Sequence, residues 1–421
     1  MTQAAILGAG IAGLSSGWML RQMGIDFIIL EKQSYIGGLA RSFQWNGFDC
    51  DFAAHRLFTS EEDILQRLLE LVPMVRHIRR SRIYLAKHWM RDPLDLIELG
   101  TNLSTKICLE ILWSYLTRPR NIMDDSFENY VIRRYGKSLY NLFFQPYTEK
   151  LFGVQGNDIS VYWAREKVRL TNPFDNLQEN TKTKSQYFFY PIEGGYGSIV
   201  NRLYQQVQDY VKLETEVLGF EQQDRKLTEV IYRQNNTVNH LPIDFVISTL
   251  PFTTTGRMLG YDFQLKFQKV KAVYLLINQP LVSDLHWIYF FDSDLSINRL
   301  VEFKNMSSVN TPSETTVLCA EVTRHLDNVI DQVIDDLVNV GLINRADILD
   351  SKIVQENFSY PVYDKVYDRT INKSQETLKK FKNLFLVGRA AEYRHREVDD
   401  IFATAISSVN TIAQQIPSHP L

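Results

Sequence analysis

The chain is expected to adopt an α/β (α+β) fold: a strand–turn–helix–strand domain interleaved in sequence with an antiparallel-sheet domain and a helical sub-domain. Three observations lead there. Two short apolar runs near the N-terminus flank a glycine-rich turn and a helical stretch, the region from about 92 to 153 carries apolar residues at helical spacing with few turn signals, and Val270 to Glu321 alternates short β-branched and aromatic runs. A chain of 421 residues also exceeds the size at which one core stops growing, so more than one domain is required.

The first domain is the most explicit. Ala4 to Leu7 reads as a buried strand, Gly8, Gly10 and Gly13 punctuate the turn, a helix runs from Leu14 to Met23, and Phe27 to Leu30 forms a second strand ending in Glu31. Gly8 permits a tight turn, Gly10 lets the backbone approach a pyrophosphate, and Gly13 lets helix and strand pack closely. The helix N-terminus offers free N–H groups to the anion, and Glu31 stands where a ribose-binding acid belongs. These residues describe a Rossmann-like dinucleotide domain.

The helical sub-domain follows from Phe127, Val131, Tyr135, Leu139 and Phe143, and the antiparallel sheet from runs such as Lys271 to Ile277 and Trp287 to Phe291. A return strand, Leu384 to Val387, precedes a charged stretch and then a helix through Ile401, Ala405 and Val409, with Asp399 or Asp400 at its start. The expected boundaries are 1–60, 190–255 and 378–421 for the dinucleotide domain, 92–160 for the helical sub-domain, and 160–190 with 265–375 for the substrate domain.

Bulk properties exclude several classes. A net charge of -3 gives no reason to expect nucleic acid, and three widely spaced cysteines, Cys50, Cys108 and Cys319, point to a reducing, cytoplasmic setting. Residues 93–116 are apolar in patches, but Asp95, Glu98, Lys106 and Glu110 interrupt them, so an interfacial or core helix is expected and no membrane span. No metal is expected, since His, Cys and carboxylates do not cluster at zinc spacing; no nucleophile elbow and no phosphate loop ending in Gly-Lys-Ser is present either. With 21 Tyr and 24 Phe, the chain can line a large pocket with rings and phenols.

The segment Glu31-Lys32 followed by Gly37-Gly38-Leu39-Ala40-Arg41-Ser42 resembles the extended fingerprint of the FAD-binding amine oxidase-like superfamily. Further stretches are similar to UDP-galactopyranose mutase and the mutase-like proteins filed as protoporphyrinogen oxidase-like. They are the loop Asp51 to Thr59 with His55, Pro146 to Gly153, the turn Pro191 to Gly197 with Tyr196, Tyr360-Pro361-Val362, and Gly388 to Asp399. The resemblance implies FAD as cofactor, held by Gly8, Gly10, Gly13, Glu31, Lys32, Gly38, Leu39, Arg41, His55, Gly388, Arg389 and Asp399. It implies substrate contacts from Tyr196, Arg299, Tyr360, Tyr393 and His395, with a second arginine supplied by Arg165 or Arg169. The groups expected to take part in catalysis are His55, Arg299, Tyr393 and His395, while Arg396 reads as a solvated charge.

The chain departs from the mutase pattern at Phe152, which stands for a tryptophan, at His395, which stands for a tyrosine, and at Glu397-Val398-Asp399, which stands for Asp-Met-Asp. Two chemistries therefore stay open. One is a non-redox change of ring size in a nucleotide sugar, supported by reduced flavin with the nucleoside diphosphate as leaving group. The other is hydride removal from an amine or a carbon–carbon unit, for which a shaped cavity suffices. A non-catalytic FAD protein is a third reading. The expected partner is a small molecule, a UDP-sugar in the first case, with room for an external electron donor and a homodimer.

Overall fold

A computed structural model describes residues 3–94, 96–168 and 186–416 of the chain. The N-terminal strand Gln3–Leu7 lies at the centre of a five-stranded parallel sheet, between Phe245–Ser248 and Asp26–Leu30, with Leu384–Leu386 and Val211–Lys212 at the edges. Four distant segments thus form one sheet. Ala4, Ala5, Ile6 and Leu7 are all fully buried, as a central strand covered on both faces requires. Helices Ser198–Val207 and Val398–Gln415 both pack on helix Ile11–Gln22, and the meander Thr215–Gln223, Lys226–Gln234, Thr237–Pro242 extends this half of the molecule.

The second sheet has seven strands, in the order Ile348–Pro361, Phe267–Ile277, Thr316–Val322, Arg299–Glu302, Trp287–Phe290, Ser81–Leu85, His88–Arg91. It is antiparallel except where Trp287–Phe290 runs parallel to Ser81–Leu85. Strands Ser81–Leu85 and His88–Arg91 fall outside the boundaries expected from sequence, which left 61–91 unassigned. The helical sub-domain comprises Leu96–Asn102, Thr105–Leu116, Phe127–Tyr135, Gln145–Phe152 and shorter turns between them. Helix Thr105–Leu116 has no fully buried residue, and Leu109, Leu112, Trp113 and Leu116 are exposed, so it is not a core helix. No helix among the described residues is long and apolar enough to cross a membrane.

Two helices begin where the sequence pattern does not place them. The first helix begins at Ile11, directly on Gly10, three residues before the apolar pattern announces it. The last begins at Val398 with Glu397 as N-cap, because Glu397 and the Asp400 side chain form a reciprocal capping box; Asp399 lies inside the first turn. Arg169 lies outside the described residues.

Candidate active site

The glycine turn is built for close approach. Gly8 has φ +102, and a Cβ on Gly13 would stand 1.9 Å from the Gly8 carbonyl oxygen, so neither position accepts a side chain without displacement. Gly10 bridges Gly37, whose N–H donates to the Ala9 carbonyl at 2.8 Å, placing the second glycine pair beside the first. The Glu31 carboxylate is fixed by N–H groups of Ala9 (2.7 Å) and Gln33 (2.8 Å). Gly38 and Leu39 form a short 3-10 turn, after which the Arg41 guanidinium donates to the Gly38 carbonyl at 2.6 Å and pairs with Glu356 at 2.7 Å.

Lys32, expected among the cofactor contacts, pairs its ammonium with Glu216 at 2.7 Å, and its side chain is 65% exposed at the start of the meander.

Above the turn three segments meet. The loop 51–57 brings His55 against Tyr196, their rings stacked at 5.1 Å. Asp51, fully buried, accepts from Ser42, from the Tyr190 hydroxyl (2.7 Å) and from the Tyr196 N–H (2.8 Å), so one carboxylate ties this loop to the Pro191–Gly197 turn. Burial pushes the Asp51 carboxyl up to about 7 against these hydrogen bonds. The C-terminal segment supplies Gly388, at φ +109 and 3.0 Å from the Ala12 Cβ if it carried a Cβ of its own, and Arg389, whose guanidinium donates to the Arg396 carbonyl and lies 5.6 Å from the Tyr360 ring centre.

Burial, with Arg389 and Arg299 nearby, lowers His55 to about 3, and burial lowers His395 to about 4, so both rings are neutral at pH 7. His395 Nε2 stands 3.1 Å from Glu397, and its ring stacks over Tyr360 and meets Trp163 edge-on. Burial alone would raise Glu397, but the His395 hydrogen bond and Arg389 hold it well below the usual carboxylate range. Burial raises Asp399, while a hydrogen bond from Thr59 of the facing loop opposes it.

Arg299 sits among phenols on the seven-stranded sheet. Its Nε donates to Glu321 at 2.8 Å, Nη2 lies 2.6 Å from the same carboxylate as an ion pair and donates to the Ala54 carbonyl at 3.2 Å, and the phenols of Tyr360, Tyr289 and Tyr147 stand around it. Tyr147 meets Tyr289 edge-on at 6.0 Å and stacks on Phe291 at 4.6 Å. Sequence reasoning missed Tyr147, Tyr289 and Glu321 as site residues. Tyr147 lies within a motif that was recognised, but nothing in its spacing distinguishes it from Thr148 or Phe152.

Tyr393 is corrected. It is fully buried at φ +52, and its hydroxyl donates to the Lys266 and Val362 carbonyls, so in this structure it fastens the chain. Arg165 is exposed on helix Val161–Lys167 and, among the described residues, has no hydrogen bond or ion pair to another member of the site. Arg396 is not a free solvated charge, since it pairs with Glu392 at 2.8 Å.

The residues fit a flavin dinucleotide. The Rossmann-type turn can take the pyrophosphate and Glu31 the ribose. Farther along, His55 Nδ1, the Tyr196 hydroxyl and His395 Nδ1 are buried with no hydrogen-bond partner among the described residues. His55 and Tyr196 lie close to Arg389 and Glu397, beside the N-terminus of helix Val398–Gln415, where a polar ring edge would satisfy them. The N–H groups of that terminus favour negative charge.

Comparison with known proteins agrees with this reading. Residues 6–71 match the family described as NAD(P)-binding Rossmann-like domain. The chain is 24% identical over 184 residues to a mitochondrial protoporphyrinogen oxidase of Nicotiana tabacum, covering 39% of this chain and 36% of that one. It is 23% identical over 230 residues to a probable UDP-galactopyranose mutase of Klebsiella pneumoniae, 52% of this chain and 57% of the other. The matched stretches thus span about a third to somewhat over half the length of these relatives. A crystal structure of reduced UDP-galactopyranose mutase superposes with a TM-score of 0.84 over 99% of this chain and 94% of its own, at 19% identity. The chain therefore carries a Rossmann-like domain within an overall fold shared with that mutase structure, and the residues around the glycine turn fit FAD.

Proposed function

We propose that the chain is an FAD-dependent enzyme acting on a nucleotide-sugar or related glycan precursor. The observation that carries the reading is the wall around Arg299: a guanidinium with the phenols of Tyr147, Tyr289 and Tyr360, next to Arg389 and across from His55. Such a wall is rich in donors, which suits phosphate oxygens and sugar hydroxyls, whereas a cationic amine needs acceptors. Bound FAD would supply the nucleophilic or redox chemistry. The chain's own groups orient the substrate over it, exclude water with the rings of Tyr147, Phe291 and Trp163, and keep His55 and His395 neutral, able to donate or accept a hydrogen bond without adding charge.

The relatives named above include an oxidase, and the stacked Tyr147–Phe291 pair offers an apolar face that an oxidisable carbon skeleton could use. UDP titration of the dithionite-reduced protein, followed by flavin fluorescence, tests the first reading: saturable binding supports it, and no binding in either redox state removes it.

A further inference from the structure

We propose that Glu321 is a positioning residue that fastens Arg299 and the loop carrying His55 into one unit, and that its charge restrains the reduction potential of the cofactor held against that loop. The second half of this rests on the FAD reading above; the first stands on the protein alone. Arg299 and Glu321 face each other across adjacent antiparallel strands, Arg299–Glu302 and Thr316–Val322. The Glu321 side chain is 6% exposed, and its Oε1 accepts hydrogen bonds from Ala54 N–H and Arg299 Nε, both at 2.8 Å, and stands 2.6 Å from Arg299 Nη2 as an ion pair. Nη2 returns to the Ala54 carbonyl at 3.2 Å, so both polar groups of Ala54 are held by one ion pair.

The loop needs such a hold. Ala53 has φ +62, a conformation uncommon for a residue with a Cβ, and it persists where surrounding contacts impose it. The preceding peptide is tied by Tyr274, whose hydroxyl donates to the Asp51 carbonyl at 2.7 Å, and the following side chain is His55 on Tyr196. Glu321 therefore grips the one peptide between a strained residue and the ring that meets the cofactor.

Two consequences follow. Arg299 commits Nε and Nη2 to the protein, so among the described residues only Nη1 stays open to a ligand, and the guanidinium offers a single prong to a phosphate in place of a fork. The Glu321 charge also compensates Arg299 beside the flavin site. Glu321→Gln keeps a carbonyl oxygen for the Ala54 N–H but leaves the guanidinium uncompensated, which favours the anionic reduced cofactor. Glu321→Ala removes the grip altogether.

The test combines hydrogen–deuterium exchange of the peptide spanning 51–57 with redox titration of the purified holoprotein. E321A is expected to exchange this peptide at least tenfold faster than wild type, and E321Q to retain wild-type FAD content with a potential at least 30 mV more positive, equal to a tenfold preference for reduced FAD. A purely structural role would leave that potential unchanged. Unchanged exchange in E321A overturns the loop-fastening claim even if no flavin binds, and unchanged potential in FAD-loaded E321Q overturns the electrostatic claim. A wild type that cannot be loaded with FAD sinks the FAD reading and the potential claim with it, and leaves the exchange result to decide the rest.

Discussion

Buried histidines give this protein a pH signature that individual residues can report. His286 is fully buried, its Nδ1 accepting from the Arg80 N–H, and burial lowers it to about 4. Between 4 and the unfolded value of about 6.5 the folded state binds fewer protons, so its stability contribution is complete above 6.5 and is lost as pH falls toward 4. Asp51 acts in the opposite sense: held at about 7, it favours folding fully below the ordinary carboxylate value of 3.8 and less as pH rises through 7. Urea midpoints measured from pH 7 to 4.5 are expected to fall less steeply in His286→Gln than in wild type, and more steeply in Asp51→Asn. Equal slopes in all three proteins would mean these groups titrate normally. At this scale the sequence motifs carried His55, Arg299, Arg389 and His395 into the neighbourhood of the site. They also nominated Tyr393, whose burial depends on Lys266 and Val362 far away in the chain, and they passed over Glu321, whose meaning lies in facing Arg299 across two strands.

Elements were legible where local chemistry defines them. The strand–glycine–helix unit at the N-terminus needs only its own residues, and the structure shows it with the helix lengthened to Ile11. Gly13→Ala puts a Cβ 1.9 Å from the Gly8 carbonyl, so the variant is expected to purify with at least tenfold less FAD than wild type, read from absorbance near 450 nm per protein. Full FAD content would show that the turn is not the dinucleotide site. The C-terminal helix was legible through Ile401, Ala405 and Val409, but its start was not, because Asp399, Asp400 and Glu397 are all plausible caps until the backbone chooses one. Asp400→Ala removes one arm of the capping box and is expected to cost about 1 kcal/mol in urea unfolding. A loss below about 0.3 kcal/mol would place that helix start under tertiary control.

For the whole molecule, what joins the parts was the least legible. Strand Ser81–Leu85 pairs with Trp287–Phe290, a partner some two hundred residues away, and no short-range pattern announces such a parallel contact. Lys150 is another joint: buried at 3% exposure in helix Gln145–Phe152, its ammonium reaches the carbonyl of Phe290 at the end of a strand of the second sheet and those of Asp292, Leu295 and Ile297 in the connection that follows, at 2.8 to 3.3 Å. Lys150→Met leaves those carbonyls without their donor and is expected to cost about 3 kcal/mol of stability by urea unfolding, with the helical sub-domain loosening first. Both joints fix strand Trp287–Phe290, at whose end Phe291 stacks on Tyr147, and the proposed reading depends on that assembly more than on any one motif. The most direct test is an anaerobic experiment on the FAD-loaded protein. Reduced with dithionite and given UDP-sugars, it is expected to bind them and convert one to an isomer while the flavin returns reduced. Bleaching of the oxidised flavin by an amine with release of peroxide, and no binding of UDP or UDP-sugars to the reduced form, would contradict that expectation.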